Sequence, residues 1–249
     1  MSFCDLKGKT VLVTGASSGI GRQAAINISK LGGTLIITGR NEKKLSETFH
    51  NLEGEGHAML TGDLVDDKDR DALLDILPAL DGLVQCAGIV GPTPAKFIRS
   101  DDIKKMMNIN YRVPVLLTAA ILQKKKLNKG ASIVLMSSVV TNSPYFGGSL
   151  YAGSKGAIEA YTKTLALELV DRKTRVNCLS PGLVNTPLIT DPAKEANPEI
   201  VDESLQRYIA KYPMGVGETE DVANAIVFLL SDQSRWISGT NIPMGAVIR

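Results

Sequence analysis

The chain has 249 residues, of which 44% are hydrophobic and 22% are charged, and its formal net charge at pH 7 is +2. This length and composition suit one α/β domain with a full core. The positive residues are scattered, so neither a nucleic acid nor a membrane surface is indicated as a partner. Three distant cysteines, Cys4, Cys86 and Cys178, predict neither a disulfide framework nor a zinc site. Without an apolar signal core or a membrane-spanning run, we expect a cytoplasmic protein.

The first half of the chain alternates short apolar runs with stretches that repeat apolar residues at helical spacing. The runs predict strands at 10–13, 35–37, 58–61 and 82–86, and the stretches predict helices at 20–31, 41–52 and 66–77. Asn41 is a candidate helix cap. This alternation is typical of βαβ units in a parallel sheet.

The second half continues the alternation and then breaks it. One long helix is predicted at about 101–126, a strand at 132–136, a helix that opens at Tyr151 and runs to 169, and a strand at 175–179. Four prolines in 183–217 flank a short amphipathic piece at 201–212, which predicts an insertion over the sheet edge. A helix at 220–230 and a strand at about 240–243 follow. No linker divides the chain, so we expect residues 1–249 to form a single domain.

The first predicted strand runs into a glycine-rich turn, Gly15-x-x-x-Gly19-x-Gly21, that opens the first helix. Backbone N–H groups at a helix start bind phosphate, and glycines let the chain approach it closely. A tight turn with a purely structural role is the alternative interpretation.

The same turn also matches the hydrolase nucleophile elbow G-x-S-x-G, with Ser17 as the nucleophile. That function needs a histidine late in the chain. His50 and His57 both precede five of the seven predicted strands, so the sequence disfavours a hydrolase.

Tyr151 and Lys155 lie four residues apart on a predicted helix and therefore share one face. A free tyrosine has a pKa of about 10, and a nearby cation lowers it. The pair is a candidate device for moving a proton to or from an alcohol or carbonyl oxygen. A solvated helix face is the alternative for this pair taken alone.

Polar or turn-forming residues follow several predicted strands, in the order Arg40, Asp63, Ser138 and Pro181-Gly182. Ligands of open parallel sheets bind outside the carboxyl ends of the strands. Together these residues predict one ligand-binding edge.

The chain resembles the short-chain dehydrogenase/reductase family, in its small one-domain branch that includes 3-oxoacyl-carrier-protein reductases. The resemblance covers nearly the whole length. It is carried by Thr14-Gly15-x-x-x-Gly19-x-Gly21, Asp63, Ala87-Gly88, Asn110, Ser138, Tyr151-x-x-x-Lys155 and Pro181-Gly182, in the family's order. It implies a Rossmann-like, doubly wound, parallel seven-stranded sheet with helices on both faces, and a nicotinamide cofactor.

The resemblance also implies the roles of four catalytic residues. Tyr151 would be the general acid in reduction and the general base in oxidation. Ser138 would hold and polarise the substrate oxygen. Lys155 would bind the nicotinamide ribose and lower the Tyr151 pKa, and Asn110 would hold a water in a proton relay. The positions implied for the cofactor are Gly15, Ser17, Ser18, Gly19, Ile20, Gly21, Arg40, Asp63, Leu64, Ala87, Gly88, Tyr151, Lys155, Pro181, Gly182, Val184 and Thr186.

Two features depart from the family pattern. Where relatives have Asn-Asn before Ala-Gly, this chain has Gln85-Cys86, and near the carboxyl terminus Met244-Gly245 replaces Gly-Gly. Ala87-Gly88 keeps the close backbone approach, so the local order of this turn is affected more than its chemistry.

The cofactor preference follows from charge at the end of the second predicted strand. An acidic residue there binds a ribose 2′-hydroxyl and repels a 2′-phosphate. This chain has Gly39 at that position, followed by Arg40. The guanidinium of Arg40 can bind a phosphate through two parallel hydrogen bonds. NADP(H) is therefore favoured and NAD(H) stays possible, with stacking of Arg40 on adenine as the alternative role.

The sequence thus predicts an NADP(H)-dependent oxidoreductase acting on a ketone or secondary alcohol, and its substrate would be a small carbonyl or alcohol or an acyl-carrier thioester. A non-catalytic dinucleotide-binding redox sensor is the alternative. Lys124 to Lys126, Lys129, Arg172 and Lys173 could contact an acidic carrier, although solvated helix ends explain them equally well. Relatives pair the two long helices between subunits, so we expect a homotetramer.

One residue of the predicted long helix has a separate consequence. Pro114 lacks an N–H group, so the Asn110 carbonyl loses its usual helical donor. Water is the usual partner of a buried carbonyl left in this way. We therefore expect Pro114 to leave the Asn110 carbonyl available to the relay water. The alternative is that Pro114 only kinks the helix and improves its packing.

Overall fold

A single sheet of seven parallel strands organises the protein, as seen in the computed structural model, which describes residues 4–187 and 214–245. The strand order is β3-β2-β1-β4-β5-β6-β7. The strands are β1 (Thr10–Thr14), β2 (Thr34–Gly39), β3 (Ala58–Thr61), β4 (Leu80–Gln85), β5 (Leu127–Met136), β6 (Arg175–Pro181) and β7 (Asn241–Met244). The predicted parallel, doubly wound fold is confirmed.

The helices lie between these strands in the expected positions. They are α1 (Gly19–Lys30), α2 (Glu42–His50), α3 (Asp67–Ile76), α4 (Ser100–Met107), α5 (Val113–Gln123), α6 (Ser149–Glu168) and α7 (Thr219–Leu230). The side chain of Asn41 accepts a hydrogen bond from the Lys44 N–H at 2.9 Å, which confirms the predicted cap of α2. Helix α6 begins two residues before Tyr151, and β5 begins five residues earlier than predicted.

The sheet has an apolar layer on each face because its strands are buried on both sides. Val11 and Val13 belong to a layer with α1 and α7, whereas Leu12 between them belongs to a layer with α5 and α6. Side chains alternate across a strand, so adjacent residues must both be apolar. This double burial explains the unbroken apolar runs in the sequence.

The long helix predicted at 101–126 is present, but a π-helical turn interrupts its α-helical bonding and it ends at Gln123. Helix α4 ends at Met107, a π-helical turn covers Asn108–Arg112, and α5 starts at Val113. The N–H of Val113 bonds the carbonyl of Asn108, five residues earlier. Pro114 occupies the first turn of α5, where a missing N–H costs least. The proline thus stands where the π-helical turn passes into α5.

The predicted insertion at 183–217 is described only at its two stems. Val184 and Gly217 form a parallel bridge, the Gly217 N–H donates to Leu183 O at 2.9 Å, and the Asn185 N–H donates to Gly217 O at 2.8 Å. The chain therefore leaves and rejoins the sheet edge at one place. The predicted amphipathic piece at 201–212 lies outside the described residues.

The described residues form neither a membrane-spanning helix nor a cluster of metal ligands. Among them, no helix is long and apolar enough to cross a membrane. The same residues contain no cluster of three or more histidine, cysteine or acidic side chains that could hold a metal ion.

Candidate active site

The carboxyl ends of the parallel strands bring the predicted site residues to one edge of the sheet. Gly15 follows β1, Gly39 and Arg40 end β2, and Ser138 follows β5 closely. The C-terminal edge of such a sheet is where ligands bind. The ends of β3, β4 and β6 contribute Asp63, Ala87-Gly88 and Pro181-Gly182 to the same edge.

A cleft of about 320 Å³ runs along this edge. Most of the predicted cofactor positions line it, namely Gly15, Ser17, Ser18, Gly19, Ile20, Gly21, Arg40, Asp63, Leu64, Ala87, Gly88 and Thr186. Five predicted positions are not among its lining residues: Tyr151, Lys155, Pro181, Gly182 and Val184. Lining residues that the sequence analysis did not assign to the cofactor are Thr38, Asn41, Lys44, Gly62, Val65, Cys86, Ile109, Val113 and Pro187. Of these, Lys44 had a usable signal, because it is a cation in the first turn of the helix that follows Arg40.

The amino end of α1 faces the cleft with uncompensated backbone dipoles. Its cap residue Ser18 makes no side-chain capping bond, and the first turn carries no acidic residue. A helix start of this kind attracts anions. Gly15 has φ of +69°, and a Cβ on it would lie 2.7 Å from the Ala87 nitrogen, so only glycine fits there. This end of the cleft suits a pyrophosphate.

The end of β2 carries a second polar pocket. The hydroxyl oxygen of Ser17 is buried and has no hydrogen-bond partner within the described part of the chain. A Cβ on Gly39 would overlap that oxygen. Arg40 and Lys44 line the same part of the cleft and provide positive charge. An orphaned hydroxyl beside two cations fits a phosphate-bearing ribose.

Lys155 is buried next to Tyr151 on one face of α6. Its ammonium nitrogen lies 5.6 Å from the centre of the Tyr151 ring and donates to Met136 O at 2.8 Å. Burial lowers the Lys155 pKa from 10.5 to about 8, while interactions with Cys86 and Cys178 act in the opposite direction. Burial also raises the pKa of the Cys86 thiol to about 12 and that of Cys178 to about 11. Because both thiols stay protonated at neutral pH, the effect of burial on Lys155 dominates.

Asn110 holds the loop after β4 against the helices. Its side-chain oxygen accepts from the Ile89 N–H at 2.8 Å, and its amide group donates to Ile89 O at 2.9 Å and to Ser154 Oγ at 3.1 Å. A Cβ on Gly88 would lie 3.3 Å from the Asn110 side-chain oxygen and 3.6 Å from the Lys155 nitrogen. Asn110 and Lys155 therefore meet at Gly88. The side-chain amide of Asn110 is occupied by these hydrogen bonds, so the water expected at this residue would have to bind its backbone carbonyl.

Ser138 links the ends of two neighbouring strands. Its hydroxyl oxygen accepts from the Val140 N–H at 3.3 Å and lies 3.5 Å from Pro181 O. It therefore caps the short 3₁₀ turn Val139–Thr141 and touches the end of β6. Tyr151, on the next helix, is half-buried.

Comparison with known proteins identifies the family. The chain matches the family model described as "Enoyl-(Acyl carrier protein) reductase" over residues 15–245. It is 35% identical over 239 residues to the 3-oxoacyl-[acyl-carrier-protein] reductase FabG of Rickettsia felis, with 96% of this chain and 95% of the relative covered. The chain belongs to the short-chain dehydrogenase/reductase family. This membership confirms the resemblance seen in the sequence.

Other short-chain dehydrogenases/reductases match over a similar extent. The glucose 1-dehydrogenase of Gluconobacter oxydans is 33% identical, with 94% of this chain and 90% of that relative covered. A short chain dehydrogenase family protein from Francisella tularensis superimposes with a TM-score of 0.83 at 29% identity, covering 95% of this chain and 96% of that one. The aldohexose dehydrogenase of Thermoplasma acidophilum superimposes with a TM-score of 0.85 at 26% identity, covering 100% of this chain and 97% of that one. Members of this family transfer hydride with a nicotinamide cofactor, and this chain is accordingly an oxidoreductase of that kind.

Proposed function

We propose that this short-chain dehydrogenase/reductase is an NADP(H)-dependent carbonyl reductase with Tyr151 as its general acid or base. The observation that carries the proposal is the buried Lys155 ammonium, which lies 5.6 Å from the centre of the Tyr151 ring and next to Gly88, a residue that lines the cleft. A buried cation stabilises a phenolate strongly, because little solvent screens the interaction. The phenol can then exchange its proton with a substrate oxygen near neutral pH.

Each catalytic residue has a separate task in this scheme. The nicotinamide cofactor supplies hydride in reduction and accepts it in oxidation. Ser138 donates a hydrogen bond to the carbonyl oxygen and orients it. Tyr151 delivers the proton to that oxygen in reduction and removes it in oxidation. Lys155 stabilises the tyrosinate that remains, and water at the Asn110 carbonyl returns the proton from solvent.

The preference for NADP(H) is supported by the pocket at the end of β2. Arg40 and Lys44 supply positive charge, and the orphaned Ser17 hydroxyl supplies a hydrogen-bonding group for a 2′-phosphate. Gly39 carries no carboxylate that would repel the phosphate. Val184, Pro181, Gly182 and Thr186 are proposed to close the opposite, nicotinamide end of the cleft.

The proposed substrates are a small ketone or alcohol, or an acyl chain on a carrier protein. Relatives named for acyl-carrier substrates and for sugars match to similar degrees, so both classes belong in a test. The basic residues considered for carrier contact precede or begin β5 and β6, at the end of the sheet opposite Ser138 and about 20 Å from it. Lys126 donates to Leu74 O and Leu77 O, and Arg172 donates to Leu127 O. These contacts favour a structural role for both residues over carrier docking within one subunit.

The direct test is oxidation of NADPH, followed by absorbance, with a panel of ketones and a 3-oxoacyl thioester. We expect turnover that is lost in Tyr151→Phe and kept in Tyr161→Phe, a matched change on the same helix. Dinucleotide binding without turnover of any panel member would support the redox-sensor alternative. Ester hydrolysis without a dinucleotide would support the hydrolase.

A further inference from the structure

Helix α6 presents a third polar residue below Tyr151 and Lys155, namely Glu159. The three residues are spaced four apart and so follow one face of the helix. One carboxylate oxygen of Glu159 is approached by three hydroxyl groups, those of Ser137 at 2.8 Å, Thr141 at 2.8 Å and Ser180 at 3.4 Å.

The three hydroxyl groups surround Ser138. Ser137 is its neighbour in the chain and is buried. Thr141 closes the turn that follows, and its hydroxyl lies 3.1 Å from the Ser138 carbonyl oxygen. Ser180 precedes Pro181, whose carbonyl oxygen lies 3.5 Å from the Ser138 hydroxyl. Glu159 therefore contacts the chain on both sides of Ser138 and the strand end beside it.

Proton counting shows which of these contacts are strong. A carboxylate only accepts hydrogen bonds, whereas each hydroxyl has one proton to donate. Ser180 lies closer to Asn241 Oδ1, at 2.7 Å, than to Glu159. The hydroxyls of Ser137 and Thr141 lie closer to Glu159 than to any backbone carbonyl they approach. Glu159 thus receives two charge-assisted bonds, one from each side of Ser138.

We infer that Glu159 is a positioning residue that fixes the Ser138 hydroxyl for the substrate oxygen by bonding Ser137 and Thr141. This inference rests on the proposed function, in which Ser138 orients the carbonyl. Misplacing such a group by about 1 Å can cost roughly a hundredfold in rate. The hydrogen bonds from Ser137 and Thr141 to the Glu159 carboxylate prevent that displacement, and Glu159 itself does not touch the substrate.

The fold should survive removal of this carboxylate. In Glu159→Leu the hydroxyl of Ser137 can still reach Lys155 O, at 3.3 Å, and that of Thr141 can reach Ser138 O. No buried hydroxyl is then left without an acceptor. Glu159→Gln keeps one acceptor oxygen and should preserve the hydrogen bonds from Ser137 and Thr141. Glu168→Leu, at the exposed end of the same helix, is the matched control.

Hydrogen exchange of the apo protein tests the inference without any substrate. The amides of Val140, Thr141, Asn142 and Ser143 all bond within the turn after Ser138, so they report its opening. We expect their exchange to accelerate by about tenfold or more in Glu159→Leu and to stay near wild type in Glu159→Gln and Glu168→Leu. Unchanged exchange in Glu159→Leu would overturn the inference, even if no ketone is ever reduced and the proposed function fails.

Kinetics with a ketone from the panel then separates positioning from a general structural effect. We expect Glu159→Leu to lower kcat/KM by roughly tenfold to a hundredfold, mostly through kcat, with NADPH affinity unchanged. Glu159→Gln should restore most of it. In a Ser138→Ala background the same Glu159→Leu change should have almost no effect, because the group it positions is absent. Equal losses in both backgrounds would overturn the inference.

Discussion

The ammonium nitrogen of Lys155 lies 5.6 Å from the centre of the Tyr151 ring, one helical turn away on α6. Lys155 is held there by its bond to Met136 O, at the end of β5. A helix and a strand therefore fix the cation together, and the phenol shares its face of the helix. Tyr151 and Lys155 therefore form a single unit in the proposed proton transfer.

Removal of the Tyr151 hydroxyl should abolish proton transfer. Tyr151→Phe keeps the ring and its packing while deleting the acidic group. We expect turnover to fall by at least the roughly hundredfold typical of a lost acid–base group. The dissociation constant for NADPH, measured by fluorescence titration, should stay within about twofold, because the variant deletes only one hydroxyl. Near-normal activity in this variant would remove Tyr151 from the mechanism.

Protonation of Lys155 should leave a signature in the pH dependence of stability. Its pKa is lowered by burial to about 8 in the folded protein from 10.5. Between these values the unfolded chain binds more protons than the folded one, so stability rises with pH. We therefore compare the unfolding free energy of the wild type with that of Lys155→Met. The difference, wild type minus variant, should increase by about 2 kcal/mol between pH 8 and pH 9.5. Urea unfolding of both proteins across this range measures the difference, and parallel curves would contradict it.

Charge reversal at the end of β2 should change the cofactor preference. Arg40→Asp replaces attraction of a 2′-phosphate by repulsion, so the ratio of kcat/KM for NADPH to that for NADH should fall by about tenfold or more. Lys44→Ala should weaken NADPH binding in the same direction by a smaller factor. An unchanged ratio in Arg40→Asp would show that this residue does not contact the phosphate.

The Ser17 hydroxyl supplies a control for that experiment. Because it occupies the space that a side chain on Gly39 would need, Gly39→Asp must displace it. We expect Gly39→Asp to use NADH well only when Ser17→Gly is added. The comparison of the single and double variants distinguishes a steric obstacle from a purely electrostatic one.

Subunit assembly is predicted from the outer face of α6. Gly153 and Gly156 have open space where a Cβ would be, and Leu167 is 74% exposed. Ile158 and Leu165 of the same helix are buried against the sheet, so they do not contribute to this outer face. We still expect a homotetramer by light scattering at micromolar concentration. Gly153→Arg should dissociate it, because a long charged side chain blocks close helix approach, and a wild-type monomer would contradict the prediction.

Pro114 is predicted to matter for turnover through the carbonyl of Asn110. It lies directly after the π-helical turn that contains Asn110, where the regular bonding pattern is already interrupted. Pro114→Ala restores an N–H group and should therefore preserve or raise the melting temperature while lowering kcat. NADPH affinity is the control and should hold. An unchanged kcat together with a lower melting temperature would favour a role in packing alone.

Much of the fold was predictable because its determinants are local. Strands buried on both faces must be continuous apolar runs, as at Val11 to Val13, and helices that cover them must repeat apolar residues every three or four positions. The glycine turn and the Tyr151–Lys155 pair could also be identified, because a strand-to-helix turn and a helical spacing are properties of consecutive residues. The π-helical turn at Asn108–Arg112 was not predicted, since α-helical and π-helical turns carry the same local sequence pattern.

The sequence by itself therefore determined the element order, the family and the two residues of the proposed proton-transfer pair. The tertiary structure alone decided which distant groups meet. The overlap of Ser17 with position 39 and the bonds from Ser137 and Thr141 to Glu159 join residues about twenty positions apart. Such contacts depend on how strands are ordered and how helices rotate onto them. No spacing along the chain encodes that geometry, because it arises from packing of the whole sheet.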